Sequence, residues 1–377
     1  MNFGFKTAAV LLPALVTAFA GGGAHAGEAH ADGSVANGRV LYTQYCATCH
    51  GITGNGYVAD NAPSLRSPTF LASVTDAFLE AAILRGRPGT AMGAYARETG
   101  GPIGPAEATA VIAFLREGGP PFVDLSQRAS AGDATRGQIV YENLCRRCHG
   151  SKTQRVSAIH LANPVLLETA SDAFLRHAIE VGRPPTSMVP WQGALSPAQI
   201  DDVVVYLRSM ASPAPSLPAA VAVPRRGPIV INPKGRPPTF VLKEGLYVPV
   251  DQVKAALDKK RRLVIADARA PADWSNLHIR GAISTPYYDP KTLDDIPNDG
   301  TWVLAYCACP HHVSGEVVEE LRKRGYKHTA VIDEGIFAWQ QKGYPVVMAP
   351  GSAAPPPAPP PLPARPPART STPRHVP

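Results

Sequence analysis

Apolar positions from Ala36 to Tyr45 recur at helical spacing and run straight into Cys46. A second such stretch, Pro105 to Arg116, has proline near its start, an apolar face and glycine just past its end, which predicts a closing helix. The plan then repeats. Gly132 to Tyr141 leads into Cys145, and Pro197 to Arg208 closes the second unit, with Ser196 as N-cap and Pro197 at the first helical position. Between these ends, Thr75-Asp76-Ala77-Phe78-Leu79 through Arg87-Pro88-Gly89-Thr90-Ala91-Met92 aligns without a gap with Ser171-Asp172-Ala173-Phe174-Leu175 through Arg183-Pro184-Pro185-Thr186-Ser187-Met188. A duplicated unit explains this match. Farther on the period changes. Leu263 to Asp267, Thr301 to Tyr306 and Thr329 to Ile332 read as buried strands, and Val313 to Arg324 as an amphipathic helix. Strands alternating with helices predict an α/β unit with a parallel sheet.

Composition divides the chain further. A length of 377 residues suggests two or three domains, and 40 prolines are too many for one compact domain. They gather in a connector at 211–228 and in a tail at 349–377 that lacks apolar periodicity and is expected to be extended. The expected organisation is a first unit at 34–118, a second at 131–210 and a third at 229–348. At the start, Lys6, the apolar stretch Thr7 to Ala20 and the small-x-small site Ala24-His25-Ala26 read as a secretory signal over 1–26, with an uncleaved anchor as the alternative. No later run reaches membrane-spanning length. The formal charge of +7 comes from scattered Lys and Arg, part of it in the tail, so no nucleic-acid partner is expected.

Chemistry enters with Cys46-Ala47-Thr48-Cys49-His50 and its second occurrence, Cys145-Arg146-Arg147-Cys148-His149. Two thiols three positions apart, followed at once by imidazole, suit covalent attachment of a c-type haem with the histidine beneath the iron. Two covalently attached haems are therefore expected, and their assembly outside the cytoplasm in bacteria agrees with export to the periplasm. A sixth ligand would come from Met92 and Met188, which occupy duplicated positions at nearly equal distance from His50 and His149. A thioether favours Fe(II) and raises the potential. The alternatives are methionines that merely pack, or bis-histidine ligation through His160 or His177, neither of which has a counterpart in the first unit. Iron closed by two protein ligands favours electron transfer over substrate activation.

Cys-x-x-Cys-His-Gly, the later Gly-Arg-Pro-x-x-x-Met and the terminal amphipathic helix together resemble class I cytochrome c domains. The resemblance implies two small all-α domains, each wrapped around a haem. It implies too that a proline soon after the haem motif offers its carbonyl to the proximal histidine, with Pro63 and Pro164 as candidates. Arg87 and Arg183 are candidates to pair with haem propionates, or else plain surface arginines.

In the third unit, Asp267-Ala268-Arg269, Leu277-His278-Ile279-Arg280-Gly281-Ala282-Ile283, Tyr306-Cys307, Asp333 to Trp339 and Gly343-Tyr344-Pro345-Val346 occur in that order. The series resembles a rhodanese-like domain, which implies that Cys307, at a strand end, accepts a sulfane sulfur as a persulfide. A loop between strand and helix would favour the thiolate. The loop departs from the family pattern. It reads Cys307-Ala308-Cys309-Pro310-His311-His312-Val313-Ser314-Gly315, without the usual early glycine, and measures one residue longer. His311 or His312, when protonated, would replace the missing cation. Cys309 would resolve a Cys307 persulfide through a Cys-x-Cys disulfide, or the four side chains Cys307, Cys309, His311 and His312 would hold a metal. Asp267 and Arg269 are expected to fix the first strand–loop junction, and His278 to be structural. The combined expectation is an exported dihaem electron carrier with a sulfur-handling domain. Its partners would be a redox protein (a cytochrome, oxidase or dehydrogenase) and a sulfane-sulfur donor, and any membrane association would not be as an integral span. The alternative is a subunit of a larger oxidoreductase whose third unit is a catalytically silent docking module.

Overall fold

The computed structural model describes residues 32–57, 61–125, 129–214, 228–308 and 312–349. The expected signal, most of the connector, nearly all of the tail and Cys309, Pro310 and His311 lie outside the described residues. No helix among the described residues is long and apolar enough to cross a membrane.

The first two units are helical and built alike. Unit one contains α1 (Asp32–Tyr45), α2 (Ala47–His50), α3 (Pro68–Leu71), α4 (Asp76–Arg85) and α5 (Pro105–Arg116). Unit two contains α6 (Ala134–Leu144), α7 (Arg146–His149), α8 (Pro164–Thr169), α9 (Asp172–Val181) and α10 (Pro197–Ser209). Thr75 and Ser171 cap α4 and α9 by accepting the backbone N–H of Phe78 and Phe174, and Ser196 with Gln199 forms a capping box on α10. The outer helices of each unit cross at backbone contact, which glycine permits. A methyl group on Gly38 would lie 1.9 Å from the carbonyl oxygen of Ala110, and one on Gly137 would lie 1.9 Å from that of Asp202. Tyr42 packs at a tilt against Phe114 at this crossing in α1/α5, and Tyr141 against Tyr206 in α6/α10, with ring centroids 5.1 and 5.3 Å apart.

The two units share one apolar core. Buried residues from Tyr42 through Leu115 and from Tyr141 through Met210 form a continuous cluster. At the join, Phe174 packs on Phe78 and Phe70, and Arg85 pairs bidentately with Glu168 at 2.6 and 2.9 Å. The contacts are nearly reciprocal: Thr69 Oγ1 donates to the carbonyl of Gly182, and Asn163 Nδ2 donates to that of Pro88. The loops that follow α4 and α9 therefore face the opposite unit.

The third unit is α/β. Its strands are β1 (Tyr247–Val248), β2 (Leu263–Asp267), β3 (Leu277–Ile279), β4 (Ile283–Ser284), β5 (Trp302–Tyr306), β6 (Thr329–Ile332) and β7 (Val346–Met348). The main sheet is parallel throughout, in the order β1-β6-β5-β2-β4, and β3 pairs antiparallel with β7 beside it. Helices α11 (Val250–Asp258), α12 (Pro271–Asn276), α13 (Val313–Lys323) and α14 (Gly335–Gln341) cover it. Every residue of β2 and β6 is buried, as expected of strands packed on both faces. Arg269 holds Asp267 through Nε at 2.9 Å and Nη2 at 2.6 Å and also reaches the carbonyl of Leu277, which pins the turn after β2. His278 stacks on Trp274 and bonds its carbonyl at 2.7 Å, a structural position.

Candidate functional site

Each paired-thiol segment sits at the end of the first helix of its unit. Backbone bonds from Cys46 and Cys145 to the carbonyls of Tyr42 and Tyr141 carry the helix into the motif. The short helices α2 and α7 then bring Cys46, Cys49 and His50, and Cys145, Cys148 and His149, onto one turn. Gly51 and Gly150, at positive φ, turn the chain out again, and their carbonyls accept from Tyr42 and Tyr141 hydroxyls at 2.8 and 2.9 Å. Both histidines are buried.

The carbonyl facing each ring fixes its tautomer. His50 Nδ1 lies 3.0 Å from the oxygen of Pro63, and His149 Nδ1 lies 2.9 Å from that of Ile159. A carbonyl only accepts, so Nδ1 carries the proton and Nε2 presents a lone pair. Burial lowers both imidazole pKa values and the carbonyl bond opposes it, leaving neutral rings near pH 7. Here the expectation for Pro164 is corrected. Its ring starts α8, with Asn163 as N-cap, and the carbonyl reaching His149 comes from Ile159. The acceptor follows the histidine by 13 positions in unit one and by 10 in unit two, so the shorter loop of unit two reaches the ring before any proline occurs. Burial pushes the Cys46 thiol up to about 12 and the Cys145 thiol up to about 11, with a smaller contribution from the neighbouring cysteine.

The methionine loops are superimposable in their bonding. The N–H of Arg87 donates to the carbonyl of Met92 at 2.8 Å, and that of Arg183 to Met188 at 2.7 Å. The N–H of each methionine in turn donates to Thr90 or Thr186 Oγ1. Met92 and Met188 are both half-buried. The guanidinium of Arg87 lies 4.9 Å from the Phe78 ring centroid, and that of Arg183 lies 5.2 Å from Phe174. Burial pulls both arginines down to about 10, which is unusual for this side chain. No carboxylate among the described residues pairs with either, and Arg183 Nη2 is buried without a hydrogen-bond partner. His160 donates through Nε2 to the carbonyl of Ser151 at 2.9 Å, so that nitrogen carries a proton and is not free to ligate.

In the third unit Cys307 follows β5 and is 1 % exposed. Its Sγ lies 3.2 Å from the hydroxyl of Ser314, in the first turn of α13, and its carbonyl accepts from the N–H of Ile336. His312 immediately precedes α13 and is half-buried. Cys309 and His311 lie outside the described residues, and with them the disulfide and metal alternatives.

Sequence reasoning missed a cluster of tyrosines between units one and three. Tyr287 and Tyr288, just beyond β4, meet Tyr45 and Tyr95 of unit one. The Tyr95 and Tyr287 hydroxyls lie 3.1 Å apart, and Tyr287 donates to the carbonyl of Tyr45, the residue before Cys46, at 3.2 Å. Tyr288 donates to the carbonyl of Gly100. Thr48, between the two thiols of the first motif, donates to Glu316 of α13 at 3.1 Å. Asp273 of α12 comes so near Gly93 that a methyl group there would lie 2.4 Å from its Oδ2, and burial pushes its carboxyl up to about 6. Nothing in local periodicity marks such a surface; the Tyr287-Tyr288 pair beside a strand end is its sole trace.

Known proteins match along the same divisions. The family described as cytochrome C oxidase, cbb3-type, subunit III matches residues 33–115 and 132–207, and the rhodanese-like domain family matches 249–342. The cbb3-type cytochrome c oxidase subunit CcoP of Azospirillum sp. is 27% identical over 196 residues, covering 47% of this chain and 62% of that protein. Subunit FixP of Bradyrhizobium sp. is 28% identical over 185 residues, covering 46% and 60%. The chain thus spans about three fifths of the length of these relatives. The probable adenylyltransferase/sulfurtransferase MoeZ of Mycobacterium tuberculosis is 30% identical over 105 residues, covering 27% of this chain and 26% of that one. Among solved structures, a rhodanese-like domain from Anabaena sp. is 22% identical with a TM-score of 0.27, covering 29% of this chain and 83% of its own.

Proposed function

We propose that this chain, in which two cytochrome c domains of the cbb3-type subunit III family precede a rhodanese-like domain, is an exported dihaem electron carrier that takes up sulfane sulfur at Cys307. The observation that carries the electron-transfer reading is the twice-built histidine, each ring buried, neutral and locked by a carbonyl on Nδ1 so that Nε2 is left to ligate. The residues fit a c-type haem in each unit. Cys46 and Cys49, and Cys145 and Cys148, would form the thioethers. His50 and His149 would supply the proximal nitrogen, and Met92 and Met188 the sixth ligand. The lone guanidinium edge of Arg183, and by duplication that of Arg87, suits a propionate carboxylate, since a buried cation is costly until paired. The bound haem supplies a one-electron couple; the protein supplies its ligands, orientation and dry surroundings.

In the rhodanese-like domain, Cys307 stands at the carboxyl end of a central strand, where open α/β sheets bind ligands. Its proximity to Ser314 supports a role as sulfur acceptor. The acid-acetone-treated chain should keep two covalently bound haems by mass. Met92→Ala and Met188→Ala should each remove the methionine–iron charge-transfer signal from one haem only. Retention of both signals in either variant defeats the ligand assignment. For sulfur, Cys307→Ser should abolish persulfide formation from thiosulfate and cyanide-dependent turnover.

A second reading is favoured by the relatives, which are named as oxidase subunits. In it the chain is one subunit of a larger oxidoreductase and the rhodanese-like domain docks without turning over. Absence of any persulfide on Cys307, with co-purification of a partner oxidase, selects this reading.

A further inference from the structure

The first cytochrome domain stands on the carboxyl edge of the rhodanese-like sheet, the edge on which Cys307 lies. Three successive strand ends meet it. After β2, the turn reaches Pro271 and Asp273. A methyl group on Gly100 would lie 3.0 Å from the Pro271 ring, and Asp273 closes on Gly93. Beyond β4 come Tyr287 and Tyr288, which bond the carbonyls of Tyr45 and Gly100. From the helix after β5 comes Glu316, bonded to Thr48. Because β5 adjoins β2, and β2 adjoins β4, these contacts run along one side of the Cys307 position. On the other side, after β6, Asp333 holds Lys243 at 2.5 Å and Glu334 accepts the N–H of Val250 at 2.9 Å, all within the rhodanese-like domain itself. The tyrosine surface is dry as well as close: burial raises the Tyr95 and Tyr287 hydroxyls well above the ordinary phenol range.

We propose that the first cytochrome domain forms a wall beside Cys307 that admits only low-molecular-mass sulfur anions and excludes persulfides carried on another protein. The proposal rests on the reading of Cys307 as a sulfur acceptor and adds which donors reach it. A macromolecular donor must bring its own sulfur within bonding distance of a thiol that is 1 % exposed, and on this edge its body meets Tyr45, Thr48 and Tyr95. An anion of a few atoms does not. With thiosulfate the step balances without a further reagent. The Cys307 thiolate attacks the outer sulfur, a new S–S bond forms, the original S–S bond breaks, and sulfite leaves with the electron pair.

Two measurements on the full, haem-loaded chain test the wall. Alkylation of Cys307 by iodoacetamide is compared with that by a polyethylene-glycol maleimide, each rate divided by its rate on unfolded chain; tandem mass spectrometry separates Cys307 from Cys309. The bulky reagent should be slower by at least about tenfold, because it reacts only with molecules whose docking surface has opened. In Tyr287→Ala/Tyr288→Ala the bulky rate should rise while the small one stays unchanged. Loading of sulfur from thiosulfate and from a protein-bound persulfide forms the second measurement, and thiosulfate alone should load the intact chain. Equal normalised rates for the two alkylating reagents on the unaltered chain, or loading from the protein persulfide, overturns the wall while leaving Cys307 a sulfur acceptor. Size discrimination without loading from either donor overturns the acceptor reading while leaving the wall.

Discussion

At the scale of single residues, buried charge carries the clearest consequences. Asp202 is buried in α10, yet its carboxylate accepts from the Asp133 N–H at 2.6 Å and from Arg136 Nε and Nη2 at 2.8 Å. The Arg136 bonds hold its pKa below the ordinary value, with the Asp133 N–H adding to the effect. A depressed folded pKa contributes stability above the unfolded value of about 3.9 and loses it as pH falls through the folded one. Asp202→Asn should therefore cost about 1–3 kcal/mol near pH 7, and the gap to the parent should shrink as the pH is lowered through the carboxylate range, as read from denaturation midpoints at neutral and acid pH. A gap that persists in acid assigns the loss to packing instead. At the paired-thiol motifs, the residue types alone marked the thiols and histidines as candidates, because covalent attachment demands fixed spacing. Which carbonyl meets each imidazole was not legible. Pro63 does so in unit one, but Ile159 takes the place in unit two, since a carbonyl is present on every residue and only the loop path selects one.

Among elements, the helix crossings depend on missing side chains. Gly38 and Gly137 sit inside helices where propensity favours alanine by about 0.5–1 kcal/mol, yet a methyl group at either would overlap the facing helix. Gly137→Ala should cost about 1–3 kcal/mol despite the better propensity, and Gly38→Ala the same, measured by thermal or urea denaturation of the haem-loaded chain. Stabilisation by either change contradicts the close crossing. Periodicity located α5 and α10 almost to the residue, and the buried strands β2, β5 and β6 with them. It is blind to a glycine that lets two backbones touch, because absence of a side chain leaves the apolar rhythm intact. The two-residue strands β1 and β4 were equally invisible, being too short for any alternation to register.

Taken as a whole molecule, the two cytochrome domains behave as one body. Their core is continuous, and Phe174 of α9 reaches Phe70 and Phe78 across the join. Phe174→Ala should remove about 2–4 kcal/mol and lower the melting of both cytochrome domains together rather than of the second alone. Independent melting of the two domains contradicts a shared core. Domain types were legible in the sequence because each carries its own motif; the surfaces that join them were not, because contacts such as Tyr95 with Tyr287 link positions that no local pattern relates. One such contact makes the two copies of the repeat unequal. In the first copy Ala91 packs against the core of the rhodanese-like domain and Gly93 and Ala94 are buried; in the second, Ser187, Val189 and Pro190 stand in water. With a haem held in each copy, ferric iron would carry one more positive charge than ferrous, so the drier surroundings would penalise the oxidised form. A titration should thus resolve two waves, the sheltered copy gaining its electron first. Twin sequences would in this way become a graded pair, told apart by what leans against them.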